Sequence, residues 1–174
     1  LDGVKNMMLR LHFGDYAGYG LRVISFILGL VSCFVILSGI LIWLVARDKK
    51  NISGKRRKFN HQVANLYMAI CLTMYPGTAL EFIIVKFAGQ VDMAFLYRTY
   101  FPIWLVATLF FIFKNNIGFT NRWTLISGGI LALWIPVVNG IMSGNWLWTA
   151  YKNGQEQILL VDLLWLVLGL VTLW

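Results

Sequence analysis

Apolar residues run along this chain in long uninterrupted blocks, separated by short polar connections. Five blocks, approximately 20–46, 62–86, 97–114, 123–143 and 157–174, approach or exceed the ~20 residues a helix needs to cross a hydrocarbon core of ~30 Å. Stretches such as "VISFILGLVSCFVILSGILIWLVA" lack the period-two alternation of a membrane β-strand. Only a helix satisfies its own backbone in lipid, so the pattern predicts an all-α integral membrane protein, a bundle of about five transmembrane helices. Residues 1–19 then form the end of an extramembrane region leading into the first helix, and residues 20–174 form the bundle.

Composition agrees with this pattern. The chain is 59% hydrophobic and only 13% charged, with a mean hydropathy of +0.72, whereas soluble domains are about a quarter charged. The net charge of +8 is not the footprint of a nucleic-acid surface, because seven of the fifteen basic residues crowd into 47–58. The expected partner is the lipid bilayer, with no nucleic acid. Trp43, Trp104, Trp123, Trp146, Trp148 and Tyr151 fall near the block ends, where aromatic belts form, while Trp134 and Trp165 lie deeper. Cys33 and Cys71 both sit in apolar runs without a partner at metal-ligand spacing, and read as small buried hydrophobes. The chain opens on leucine and its last residues, "LWLVLGLVTLW", stop inside an apolar run. It is therefore expected to be a fragment of a longer protein.

The loops set an expected orientation. "RDKKNISGKRRKFN" carries Arg47, Lys49, Lys50, Lys55, Arg56, Arg57 and Lys58 against the single Asp48, and "KNNIGFTNR" adds Lys114 and Arg122. The connections on the other side are nearly charge-balanced. The positive-inside rule makes the basic loops cytoplasmic, which puts the N-terminal end outside and the C-terminal end inside. The "NIS" sequon at 51–53 then lies on a side where it cannot be glycosylated.

Small residues at four-residue spacing predict close helix contacts: Ser25, Gly29 and Cys33 in the first block, Gly128 and Ala132 in the fourth. Pro76, Pro102 and Pro136 each fall inside a helical block and each removes a backbone hydrogen bond, so each predicts a kink.

Few groups remain that could carry chemistry. Glu81 and Asp162 are carboxylates within apolar runs, with Asn139 at a similar level, all towards the outer interface. An intramembrane carboxylate is a functional candidate, although near an interface water also explains it. There is no phosphate-binding loop, dinucleotide fingerprint, nucleophile elbow or H-E-x-x-H. The two histidines, His12 and His61, stand on opposite sides of the first block, which measures ~40 Å as a helix, so they cannot share one metal ion. An interfacial histidine can be a polar anchor. Imidazole is also an axial ligand for haem iron, and one at each face would hold two haems about a bilayer apart. The opposing ligands would then come from outside this chain or from a methionine such as Met74.

Residues 11–18, "LHFGDYAG", and the helix that follows, ending "SGILIWLVARDKK", resemble the PepSY-associated transmembrane family. Leu11, His12, Phe13, Gly14, Gly18, Ser38, Gly39 and Trp43 match its pattern, and the likeness is specific over roughly 8–50. The resemblance implies a bacterial inner-membrane protein whose PepSY domain would lie upstream, outside this sequence. Some members are ferric-siderophore reductases carrying b-type haem on histidines. It therefore implies His12 as an axial ligand on the periplasmic side, with His61 as its cytoplasmic-side counterpart. Asp15, three residues beyond His12, would orient an imidazole or a nearby water.

Two functions from different classes follow. In the first, the protein binds up to two b-type haems and carries electrons from an unknown cytoplasmic-side donor to a periplasmic ferric-siderophore or other ferric chelate. In the second, it is a non-redox anchor for a periplasmic PepSY sensor or peptidase-regulatory domain. A transporter has less to recommend it, since neither an inverted repeat nor paired broken helices are evident.

Overall fold

A computed structural model describes residues 2–13, 18–47, 52–89 and 91–174, and every regular element among them is an α-helix. In chain order these are α1 (Asp2–Phe13), α2 (Gly18–Arg47), α3 (Gly54–Leu72), α4 (Met74–Ala88), α5 (Met93–Lys114), α6 (Ile117–Ser143), α7 (Leu147–Lys152) and α8 (Glu156–Leu173). Five segments are long and apolar enough to cross a membrane: Gly20–Arg47, Gly54–Ala88, Met93–Lys114, Ile117–Ser143 and Glu156–Leu173. This is the all-α membrane architecture expected from the apolar blocks. The chain divides into two compact units, Leu1–Asn60 and His61–Trp174.

The first unit holds α1, α2 and the opening of α3. Hydropathy alone does not reveal α1, because it is a helix of mixed polarity with Val4, Met8 and Leu11 at helical spacing. Along α2, large apolar residues such as Phe34, Val35 and Ile42 are exposed, as befits side chains that meet lipid rather than a protein core. Among the described residues, Cys33 on this helix is exposed and no atom lies within 4 Å of where a Cβ on Gly29 would stand.

In the second unit, the block expected at 62–86 is two helices, with Thr73 between them. Pro76 accounts for the interruption, since its nitrogen has no hydrogen to give the Leu72 carbonyl and its ring crowds the preceding turn. Neighbouring polar groups find partners, as the interior of a membrane requires. Thr73 Oγ1 donates to the Ala69 carbonyl at 2.6 Å and lies 2.8 Å from Thr108 Oγ1 on α5, while Trp104 Nε1 donates to the Ile70 carbonyl at 3.1 Å. Pro102 and Pro136, by contrast, lie inside uninterrupted helices.

Caps explain why α5 and α6 begin earlier than hydropathy suggests. The Asp92 side chain accepts from the Phe95 amide at 2.7 Å, and that of Asn116 accepts from the Phe119 amide at 3.0 Å. At the far end of α6, Gly144 takes a φ of 69°, a left-handed conformation that glycine adopts without strain.

The core of this unit lies among α4, α6 and α8, around Ala79, Ala132, Ile135 and Trp165. Small residues create it, as the Gly128–Ala132 spacing predicts. A Cβ on Gly128 would stand 2.3 Å from the Tyr75 ring, and one on Gly169 would stand 2.8 Å from the Leu133 side chain. The Tyr75 hydroxyl in turn lies 3.1 Å from Thr172 Oγ1, and its ring stacks on Trp165 with 6.4 Å between centroids. Trp165 is buried in this core, and Trp134 is 54% exposed.

Candidate functional site

His12 occupies the last turn of α1, and its side chain lies outside the described residues. Asp15 also lies outside them, together with Gly14 and the rest of the connection to α2. His61 belongs to the second unit, where it is exposed on α3 just after the basic run that ends at Lys58. The two histidines thus fall in different units.

Among the described residues no three His, Cys, Asp or Glu side chains gather into a metal-binding group. A haem enclosed by the second unit would need an imidazole lining a cavity. The cavities at Asp92 and Arg98, at Pro102 and Phe111, and at Lys86 and Asp162 include no histidine. His61, exposed on α3, would hold a haem only at the surface, with an opposing ligand from beyond the described residues.

The buried carboxylates lie elsewhere, towards the end of the unit where α4 and α6 finish and α8 begins. Asp162 and Asn139 are each 2% exposed, and Asn139 Nδ2 donates to Asp162 Oδ2 at 2.8 Å. Ser143 Oγ donates to Asn139 Oδ1 at 3.1 Å, which fixes the amide so that its nitrogen faces the carboxylate. On α4, Glu81 is 7% exposed and its Oε1 accepts from Thr99 Oγ1 on α5 at 2.5 Å, while its Oε2 is buried without a protein partner. Each of the three polar residues singled out from the sequence is thus buried and bonded to a neighbour.

Beside the Asn139–Asp162 pair lies a cavity of about 220 Å³, which Lys86 and Gln157 also line. Neither residue stands out in the sequence, because a lysine or glutamine at a helix end is ordinary interfacial polarity. Lys86 lies near the end of α4 and Gln157 in the first turn of α8, 71 residues apart in the chain, and only the fold brings them to one cavity.

The model of the PepSY-associated TM region matches residues 1–46. Those residues are thus similar to a PepSY-associated transmembrane region. Residues 47–174, the second unit included, lie outside the match. The matched stretch contains His12, Asp15 and the small-residue pair Ser38–Gly39 of the motif. No curated protein and no solved structure matches the chain.

Proposed function

We propose that this chain is the membrane part of a PepSY-associated haem protein that carries electrons across a bacterial inner membrane to a ferric chelate. His12 and His61 each supply one axial ligand, at opposite membrane faces. The observation that supports this most is the pairing of a family-matched His12 with an exposed His61 on the helix that follows the first span. An imidazole buried in a satisfied network would be unavailable to iron, whereas one at the surface can meet a ligand from a neighbouring segment or subunit. When bound, b-type haem supplies one-electron chemistry, and the protein supplies ligation, orientation and insulation from water. Asp15 would orient the His12 imidazole or a water beside it. The terminal acceptor under this reading is ferric-siderophore iron on the periplasmic side, and the donor acts from the cytoplasmic side.

Reduced-minus-oxidised spectra of the purified protein, expressed with ample haem, test this directly. The expected result is a b-type spectrum in which His12→Ala and His61→Ala each remove, or shift to high spin, a different component. A spectrum without a Soret band would leave the anchor reading in its place.

A further inference from the structure

The cavity beside Asp162 is a built site, and nothing in the proposed haem chemistry uses it. Its inner wall is Ile135, Asn139 and Asp162, and its mouth is Phe82, Lys86, Gln157 and Val161. The inner polar pair is almost fully buried, while Phe82 and Val161, both on candidate membrane-spanning helices, are 39% and 41% exposed. A ligand entering there therefore arrives from the bilayer. Asn139 donates to one oxygen of the Asp162 carboxylate, and a carboxylate can accept about four hydrogen bonds, so it can take a further donor from a ligand. Lys86, nearer the end of its helix, is a donor at the mouth.

Size narrows the ligand. An apolar cavity of ~150 Å³ holds one benzene ring, so about 220 Å³ holds one substituted six-membered ring, with any tail left outside. The rest of the lining matches such a ring: Phe82 offers an aromatic face, and Ile135, Ile158 and Val161 offer apolar contact. The chemistry therefore calls for a membrane-soluble ring that carries a hydrogen-bond donor at its inner end and an acceptor oxygen at its outer end. A lipid-soluble quinol has this pattern: one hydroxyl reaches inward to a carboxylate, and the opposite oxygen accepts from an ammonium or amide.

From this geometry we infer that the cavity formed by Phe82, Lys86, Asn139, Gln157 and Asp162 binds the headgroup of a lipid-soluble quinol. Asp162 accepts from one hydroxyl, and Lys86 donates to the oxygen across the ring. Asn139, held by Ser143, positions the carboxylate. The inference concerns binding alone and does not depend on haem, so it stands or falls separately from the proposed electron transfer.

The test is calorimetric titration of decylubiquinol, kept reduced under nitrogen, into the purified full chain in detergent. One saturable site is expected. Asp162→Asn should weaken binding about tenfold or more, because a bond to a charged acceptor is lost. Should that variant fold poorly, Val161→Phe provides an independent reading. It narrows the mouth while leaving the Asn139–Asp162 bond intact, and should also weaken binding at least tenfold. Decylubiquinone, which lacks the donating hydroxyl, should bind about tenfold more weakly than the quinol. Absence of saturable binding, or equal affinity for the quinol in wild type, Asp162→Asn and Val161→Phe, would overturn the assignment. So would displacement of the quinol by phospholipid added at equal concentration, which would give the cavity to a lipid headgroup.

Discussion

At the scale of single residues, the second unit depends on glycines that rings and side chains press against. Gly128 and Gly29 look alike in sequence, each within a four-residue repeat of small residues in an apolar helix, yet only one is packed. Gly128→Ala sets a methyl group 2.3 Å from the Tyr75 ring, and overpacking of this kind costs ~1–3 kcal/mol. Gly29→Ala meets open space and should be neutral or slightly stabilising through helix propensity. Thermal unfolding of the two variants in the same detergent checks the contrast, and equal midpoints would refute it. Polar pairs grade similarly. Thr108→Val removes the partner of Thr73 across α5 and should cost about 0.6 kcal/mol, as membrane hydrogen bonds do. Asn139→Ala leaves a buried carboxylate without that donor and should cost ~1–3 kcal/mol. The polarity of Glu81, Asn139 and Asp162 was legible in the sequence. Their partners were not, because Asn139 and Asp162 are 23 residues apart on different helices and Glu81 and Thr99 are 18 apart.

At the scale of elements, the apolar blocks located the spans well and their ends poorly. Lipid acts on side chains over a whole span, so its imprint is a long average, whereas a helix end depends on one cap such as Asp92 or Asn116. The same averaging hides α7, six residues between longer elements, and α1, whose polarity is mixed. Proline shows the limit from another direction. Three were visible and each predicted a kink, but only Pro76 accompanies an interruption of regular helix, at Thr73, whose backbone itself stays helical. Pro76→Ala restores a donor for the Leu72 carbonyl and should let α3 and α4 run on as one helix. Spin labels at Gln62 and Lys86 would then approach the ~36 Å that 24 residues span in a straight helix, against a shorter distance with proline in place. An unchanged distance would show that packing, not proline, sets the break.

At the scale of the whole molecule, the membrane architecture and the likeness to a PepSY-associated region were both readable from the sequence: the first from hydropathy, the second from the His12–Gly14–Gly18 segment and the helix after it. The cavity at Asp162 was not readable, because it is a property of three helices together. The seven basic residues between 47 and 58 predict the sidedness: a reporter fused after Lys58 should read cytoplasmic and one after Asn153 should read periplasmic. The functional account rests on that arrangement, since it assigns one histidine to each face. Its most direct test is a pyridine haemochrome determination on the purified full chain and its two histidine variants, all expressed with ample haem. The account predicts b-type haem in the wild type and a lower content in both His12→Ala and His61→Ala, with the bundle still folded. Wild-type protein without haem, or variants that keep the full wild-type content, would contradict it.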